Sequence, residues 1–196
     1  MISKLLQAKF VALFFTLAFA GSVQADWMLN NEASSLSFVT VKAEHKAEVH
    51  SFEELSGEID DNGDVGVTIE LISVNTMIPI RNERMREMLF EIDVFPEANI
   101  DAKIDLDELS TMAAGATSVR QIDLELSLHG EKAVLPADVQ VTRTASGVVV
   151  SCLKPIIVMS DMFSLTEGVE KLREVAGLPS ISRAVPVSFT IVFDEG

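Results

Sequence analysis

The chain has 196 residues, 48% apolar and 23% charged, with 30 acidic against 15 basic side chains and a formal net charge of −15. This length predicts one domain that can bury a core of its own, and the composition argues against wholesale disorder. The acidic excess argues against nucleic acid as a partner, because phosphate binding depends on clustered Lys and Arg.

The first 25 residues have the layout of a secretory signal peptide. Lys4 and Lys9 accompany an apolar run over residues 10–20, and small residues lead to a cleavage site after Ala25. The apolar run is shorter than the roughly 20 residues of a membrane-spanning helix, so cleavage is favoured over an anchor. We therefore predict a cleaved signal peptide at residues 1–25 and an exported, soluble domain at residues 26–196.

Most of that domain alternates apolar and polar residues, which is typical of strands with one face in a core. Short turns such as Asn62-Gly63 separate the segments, so we expect consecutive strands to pair antiparallel. The eight predicted strands are 35–42, 48–59, 65–71, 100–107, 122–129, 137–141, 147–152 and 185–193.

Two segments break the alternation and predict short helices. Residues 81–91 are dense in helix formers, with Met85, Met88 and Leu89 on one side. Residues 164–176 carry an apolar stripe, and Ser164 and Glu167 have the spacing of a capping box. Gly168 weakens this second helix, because glycine costs about 1 kcal/mol relative to alanine inside a helix.

The apolar face of a sheet must be covered by another layer or by closure of the sheet on itself. Eight sequential antiparallel strands with short links predict a mainly β fold, an eight-stranded antiparallel up-and-down barrel with one or two short helices. A barrel of this size either fills with side chains or leaves room for one small ligand. A solidly packed barrel and a two-sheet sandwich are the alternatives that the periodicity leaves open.

Short motifs follow one another in a fixed order along residues 26–193: Trp27, FEELSG at 52–57, SVNT at 73–76, RNERM at 81–85, LF at 89–90, FP at 95–96, LSLHG at 126–130 and AVPVSF at 184–189. This ordered set resembles the YceI-like proteins. The chain departs from the family at Asn82, where much of the family has an aspartate after the arginine, and at Arg84, near which a histidine is common.

The resemblance implies a lipocalin-like barrel in the bacterial periplasm that holds a polyisoprenoid chain, such as a quinone tail, along its axis. It implies neither a cofactor nor an established catalytic activity. The partner it implies is an isoprenoid amphiphile. The acidic excess disfavours static adhesion to an anionic membrane surface, so we expect contact with a membrane to be transient or assisted by a membrane protein. Barrels of this kind often pair, so a homodimer is a further partner to consider.

An isoprenoid chain needs apolar surface, because each buried methylene contributes about 0.8 kcal/mol. We predict that inward-facing strand residues and apolar residues near the mouth line the ligand site, with ordinary core packing as the alternative for each. The predicted lining is Phe38, Val67, Ile69, Leu71, Met85, Met88, Phe90, Ile104, Leu124, Leu126, Val139, Val149, Phe189 and Ile191.

Arg81 is the candidate for the ligand head group, since a guanidinium can donate to a quinone carbonyl or a pyrophosphate. Pairing with one of the many carboxylates is its structural alternative. His50 and His129 lack a second ligand at metal spacing, so we expect exposed histidines and no metal site.

Three hypotheses for function follow from these residues. A periplasmic carrier of a polyisoprenoid is the first, and a filled barrel that serves as an interaction or stress module is the second. An enzyme that acts on a bound quinone is the third, but the sequence offers no GxSxG elbow and no ordered acid–base pair, so no catalytic residue is predicted.

Overall fold

The computed structural model describes residues 27–196, and the predicted signal peptide at residues 1–25 lies outside the described residues. Residues 27–196 form twelve strands and three α-helices. The strands are β1 (Trp27–Leu29), β2 (Ser35–Lys42), β3 (Lys46–Phe52), β4 (Leu55–Ile59), β5 (Asp64–Glu70), β6 (Val74–Asn75), β7 (Glu97–Lys103), β8 (Thr117–Leu128), β9 (Glu131–Arg143), β10 (Gly147–Cys152), β11 (Ile156–Met159) and β12 (Ala184–Glu195).

Eight of these strands form a closed antiparallel ring in the order β1, β4, β5, β7, β8, β9, β10 and β12. The short strand β1 closes the ring, because Trp27 pairs with Ile59 of β4 on one side and with Glu195 of β12 on the other. Closure leaves no free edge in the ring, so its apolar face encloses an interior. The predicted eight-stranded antiparallel barrel is confirmed.

The other four strands lengthen the wall at one end of the ring. β2 continues the course of β1 along β12, and β11 continues the course of β10 along the opposite side of β12. β3 then pairs with β2 as β4 pairs with β1. We name this the mouth end, where Lys42, Lys46 and Ala184 lie, and we name the opposite end, with Ile59 and Lys103, the far end.

Two of the helices lie where the sequence predicts helices. The first, α1 (Pro79–Arg84), continues as a π-helix over Met85–Phe90, and it begins at a proline, which suits a first helical turn. α3 (Thr166–Val175) begins after Ser164, whose backbone is left-handed at φ 55°. The predicted capping box does not form, because the Ser164 hydroxyl donates to the Glu131 carboxylate at 3.1 Å.

The remaining α-helix, α2 (Leu106–Thr111), corrects the predicted strand at residues 100–107. β7 ends at Lys103, and the carboxylate of Asp105 accepts the backbone N–H of Glu108 at 3.1 Å. This N-cap satisfies a donor that a helix start leaves free, so the backbone turns into a helix although the apolar residues alternate up to Leu106. α2 lies at the far end, where Leu109 is buried.

The helices of residues 27–196 are short. None of them is long and apolar enough to cross a bilayer.

Candidate functional site: an apolar barrel interior

The barrel interior contains two adjoining cavities. The larger, of about 400 Å³, lies toward the mouth end, and the smaller, of about 300 Å³, lies toward the far end. They meet at a waist, because five apolar residues line both cavities: Leu36, Ile69, Ile100, Leu124 and Phe189. The apolar interior therefore extends along the barrel from one end toward the other.

Two helices roof the larger cavity. Met85, Leu89 and Phe90 of the π-helix line it, and Leu165, Val169 and Leu172 line it around α3. The larger cavity reaches solvent beside Ile78 and Ile80, which line it while exposing 44% and 53% of their surface. This opening is the mouth of the barrel.

The structure brings together twelve of the fourteen residues predicted to line the ligand site. Whether they contact a ligand stays a prediction, but each faces a cavity. Phe38, Leu71, Met85, Phe90 and Leu126 line the larger cavity, Val67, Ile104, Val139 and Ile191 line the smaller, and Ile69, Leu124 and Phe189 line both.

The other two predicted residues, Met88 and Val149, line neither cavity. Val149 lies between Val148 and Val150, which both line the smaller cavity, so the run of valines hid which residues of β10 face inward. Met88 lies in the π-helix, whose wider turn changes the side that each residue faces. The cavity is therefore lined by Met85 and by Leu89, four residues later, whereas Met88, three residues later, does not line it.

A cluster of charged side chains lies beside the mouth. The Glu48 carboxylate accepts hydrogen bonds from Lys42 Nζ at 2.6 Å and from Arg81 Nη1 at 2.5 Å, and Arg81 Nη2 donates to the Thr76 carbonyl at 2.5 Å. The bond from Lys42, with a further contribution from Arg81, lowers the pKa of Glu48. The structural alternative for Arg81, pairing with a carboxylate, is thus what the structure contains.

Arg81 nevertheless keeps donor capacity. It lines the larger cavity, and its Nε is buried with no hydrogen-bond partner in the part of the chain that the structure describes. A guanidinium carries five N–H donors, so the pairing with Glu48 and Thr76 does not use them all. Arg81, the candidate for the head group, therefore lines the cavity and has an N–H donor without a partner among the described residues.

His50 is buried, with 4% of its surface exposed, contrary to the expected exposed histidine. Its Nε2 lies 2.9 Å from the Thr40 hydroxyl, its ring packs edge-on against Phe38 at 5.3 Å, and its Nδ1 has no partner among residues 27–196. Burial lowers the pKa of His50, and the positive charge of Arg81 acts in the same direction. The imidazole is therefore neutral near pH 7 and lines the larger cavity.

Thr40, Lys42 and His50 were not among the predicted site residues. The signal that could have found them is the period of two in β2, because Thr40 and Lys42 share a strand face with Phe38. His50 is the direct cross-strand partner of Phe38 in β3. The polar residues around the mouth thus follow from the same parity that selects the apolar lining.

The far end has its own polar border. Lys103, Asp105, Glu108 and Arg120 line the smaller cavity beside α2, and an ion pair between Glu108 and Arg120 joins this helix to β8. Leu109 and Met112 turn toward the cavity. α2 therefore covers the far end with apolar side chains inside and charged ones at its edge.

Within residues 27–196, no three His, Cys, Asp or Glu side chains come together in a way that could hold a metal ion. The candidate site is accordingly defined by apolar surface with a few polar groups at each end.

The model of the YceI-like domain family matches residues 27–193. The chain belongs to the YceI-like family. A search of the curated proteins finds no match. Among solved structures, the chain is similar to a polyisoprenoid binding domain from Saccharophagus degradans implicated in plant cell wall breakdown, with 34% identity over 88% of this chain and 100% of that one and a TM-score of 0.86.

The fold extends to more distant proteins. BcnA from Burkholderia cenocepacia is 16% identical over 84% of this chain and 98% of its own, with a TM-score of 0.63. At that identity the likeness shows the shared fold alone. This YceI-like chain therefore shares its fold with a protein of low sequence identity.

One departure of this YceI-like chain from its family has a local explanation. The side-chain oxygen of Asn82 accepts the Thr76 N–H at 2.9 Å and the Thr76 hydroxyl at 2.5 Å. An amide carbonyl and a carboxylate are both acceptors, so asparagine can hold this turn where an aspartate is common. Arg84, which stands near the position of the family histidine, lines the larger cavity.

Proposed function

We propose that this protein is a periplasmic carrier or reservoir that holds a polyisoprenoid amphiphile inside its barrel. The observation that carries the proposal is the pair of adjoining apolar cavities that share the waist of Leu36, Ile69, Ile100, Leu124 and Phe189. A long hydrocarbon chain is a ligand whose shape and polarity suit such an interior. The barrel would keep the chain out of water, which is the physical basis of the carriage.

Apolar contact supplies the binding energy in this proposal. Each buried methylene contributes about 0.8 kcal/mol, so a few isoprene units suffice for tight holding. The similar Saccharophagus degradans protein is described as a polyisoprenoid binding domain, and its 34% identity supports the same class of ligand here. Export to the periplasm rests on the signal peptide that the sequence predicts at residues 1–25.

The head group of the ligand would lie at the mouth. Arg81 Nε and His50 Nδ1 are buried without a partner among the described residues, on two side chains that line the larger cavity. Buried polar atoms in folded proteins are usually satisfied, so these two favour a ligand that brings polar atoms to this end. A quinone carbonyl and a pyrophosphate oxygen both meet that requirement.

A filled barrel that serves as an interaction module is the second candidate. It needs an interior occupied by side chains, whereas cavities of about 400 and 300 Å³ remain open here. A third candidate, an enzyme that acts on a bound quinone, would be supported by turnover that Arg81→Ala abolishes. The open interior favours carriage over the filled barrel, and the turnover assay separates carriage from the enzyme.

The experiment measures uptake of a series of prenols of increasing length by the full mature protein, through displacement of a fluorescent apolar probe. Leu124→Trp and Ile100→Phe enlarge side chains at the waist, so each should weaken binding of the long prenols by at least roughly tenfold while the shortest still bind in the larger cavity. Overpacking of this kind costs about 1–3 kcal/mol, which the fold should tolerate.

Asp123→Trp is the matched control, because Asp123 precedes Leu124 in β8 and is exposed on the outer face. This variant should take up every prenol as the wild type does. Uptake of long prenols that is unchanged in folded Leu124→Trp and Ile100→Phe proteins would refute an interior site, and no uptake by the wild type would refute carriage.

A further inference from the structure

Four consecutive apolar residues, Met77, Ile78, Pro79 and Ile80, are exposed beside the mouth. Met77 exposes 84% of its surface, more than any other large hydrophobic residue of the described chain. Across the mouth, Val175 and Ala176 at the end of α3 are also exposed, and Ala176 lines the larger cavity with Ile78 and Ile80. We name these six residues the apolar rim. Runs of exposed apolar residues promote association, so folded proteins usually lack them unless the run has a function.

The backbone holds Met77 outward. Its φ of 61° lies in the left-handed region, which is uncommon for a residue with a side chain. The side chain of Asn75 accepts the Met77 N–H at 2.8 Å, and Asn82 accepts the N–H of the preceding Thr76 at 2.9 Å. Two asparagine side chains therefore fix a turn that directs the Met77 side chain into solvent. Burial of this side chain in an apolar partner would be favourable.

Charge is distributed unevenly around this rim. Three segments frame the mouth and contact one another, residues 40–50, 76–90 and 169–185, through the Arg81–Glu48 ion pair and the backbone pairing of Lys42 with Ile181. They contain eight of the thirteen Lys and Arg residues of 27–196 but only six of the 29 Asp and Glu residues, a net charge of +2. The rest of 27–196 has five bases against 23 acids, a net charge of −18.

We propose that the apolar rim and its flanking bases form a docking face for the surface of a bilayer that contains anionic lipid. Apolar side chains that enter the headgroup region, surrounded by Lys and Arg, are the combination that binds such surfaces. Lys46 and Arg84 have no acidic partner among the described residues, so their charges are available to lipid phosphates.

The acidic remainder of the molecule orients this contact. At physiological ionic strength charges act over about 8 Å, so a face that touches the bilayer is attracted while the distant acidic surface is screened. The rest of 27–196, with its net charge of −18, is repelled by anionic lipid. The inference builds on the proposed function, because mouth-first docking would let an isoprenoid tail pass from bilayer to cavity without crossing water.

The test measures sedimentation of ligand-free protein with vesicles of phosphatidylcholine alone and of phosphatidylcholine mixed equally with phosphatidylglycerol. We expect the wild type to bind the mixed vesicles at physiological salt and to bind the neutral vesicles more weakly. Met77→Asp should weaken binding by roughly tenfold, since it removes an apolar contact. Lys46→Gln should weaken binding by roughly fivefold, the effect of one basic residue near an anionic surface.

Two controls match these substitutions. Val119→Asp puts the same charge on another exposed apolar residue, at 62% exposure, in the far-end portion of β8. Lys154→Gln removes a lysine that pairs with Asp138 on the barrel wall. Both controls should bind the mixed vesicles within about twofold of the wild type, as neither lies on the docking face.

The outcome separates docking from carriage, because prenol uptake from solution is measured on the same proteins. Met77→Asp should keep normal prenol uptake while it loses vesicle binding. No binding of the wild type to mixed vesicles, or equal binding by Met77→Asp and Val119→Asp, would overturn the docking face and leave the cavity proposal standing. Docking to a membrane protein instead of lipid would give the first of these results.

Discussion

At the scale of single residues, two basic side chains beside the mouth pair with one carboxylate. Glu48 accepts hydrogen bonds from both Lys42 and Arg81, so the two cations have a single carboxylate between them. The carboxylate is partly exposed, at 36% of its side chain, so solvent screens these pairs and their contribution to stability is small. Their main effect is to hold the Arg81 guanidinium beside the cavity.

His50 predicts a pH dependence of stability. Burial lowers its pKa in the folded protein, so the unfolded chain binds the proton more readily. This contribution to stability is present above the ordinary histidine pKa of about 6.5 and is lost as the pH falls toward the lower folded value. We expect the free energy of unfolding, measured by urea denaturation, to decrease from pH 7 to pH 5.

His50→Gln should make that decrease smaller, because the amide keeps a polar atom near Thr40 and does not titrate. The variant loses the ring contact with Phe38, so it should be less stable at both pH values, and the informative quantity is the difference between them. His45→Gln removes an exposed histidine and should leave the decrease as in the wild type. Equal decreases in His50→Gln and the wild type would contradict the buried neutral imidazole.

The strands show how far residue placement can be predicted. Where apolar and polar residues alternate, as at Val67 and Ile69 or at Leu124 and Leu126, parity selects the cavity-facing side correctly. Where three valines follow one another in β10, parity gives no direction, and Val149 lines neither cavity although Val148 and Val150 line the smaller one. The burial of His50 could not be predicted from the isolated residue, because it depends on pairing with Phe38 across two strands.

At the scale of elements, the roof of the larger cavity depends on close packing of α3 against the π-helix. A Cβ at Gly168 would lie 2.9 Å from the Met88 carbonyl oxygen and 3.0 Å from the Leu89 Cα. The glycine that weakened the sequence prediction of α3 is therefore needed for two backbones to approach. Helix propensity describes an isolated helix, so this requirement becomes visible only with the neighbour in place.

Gly168→Ala should destabilise the protein by up to about 2 kcal/mol, because the overpacking cost of about 1–3 kcal/mol outweighs the gain in helix propensity of about 1 kcal/mol. Gly66→Ala in β5 is the control, since a Cβ there meets nothing within 4 Å, and it should be neutral or slightly stabilising. Denaturant unfolding measures both. A Gly168→Ala protein more stable than the wild type would show that the helices do not pack so closely.

α2 shows a second limit of prediction at this scale. Alternation continued through Ile104 and Leu106, so a strand was the natural interpretation, yet Asp105 and Glu108 have the spacing of an N-cap and its third residue. Two local signals competed, and the backbone follows the capping interaction, which satisfies a donor at the helix start. The N-cap of α2 could be predicted from the sequence. That α2 covers the far end of the barrel could be recognised only from the closed structure.

At the scale of the whole molecule, the barrel follows from strand number and pairing order, both of which the sequence predicted. The sequence could not predict that four courses of the wall are each divided into two strands, β1 with β2, β3 with β4, β5 with β6 and β10 with β11, so that twelve segments make a wall of eight courses. These bends lengthen the wall at the mouth end. The volume left inside depends on every inward side chain together, so alternation alone could not distinguish an open interior from a filled one.

The most direct test of the central claim, that the barrel houses a long isoprenoid chain, is native mass spectrometry of the exported protein purified without detergent. We expect a population heavier than the bare mature chain, and solvent extraction of that sample should release a polyisoprenoid whose mass equals the difference. A single species at the mass of the bare chain in repeated preparations, with no mass added after incubation with a long prenol, would contradict the claim.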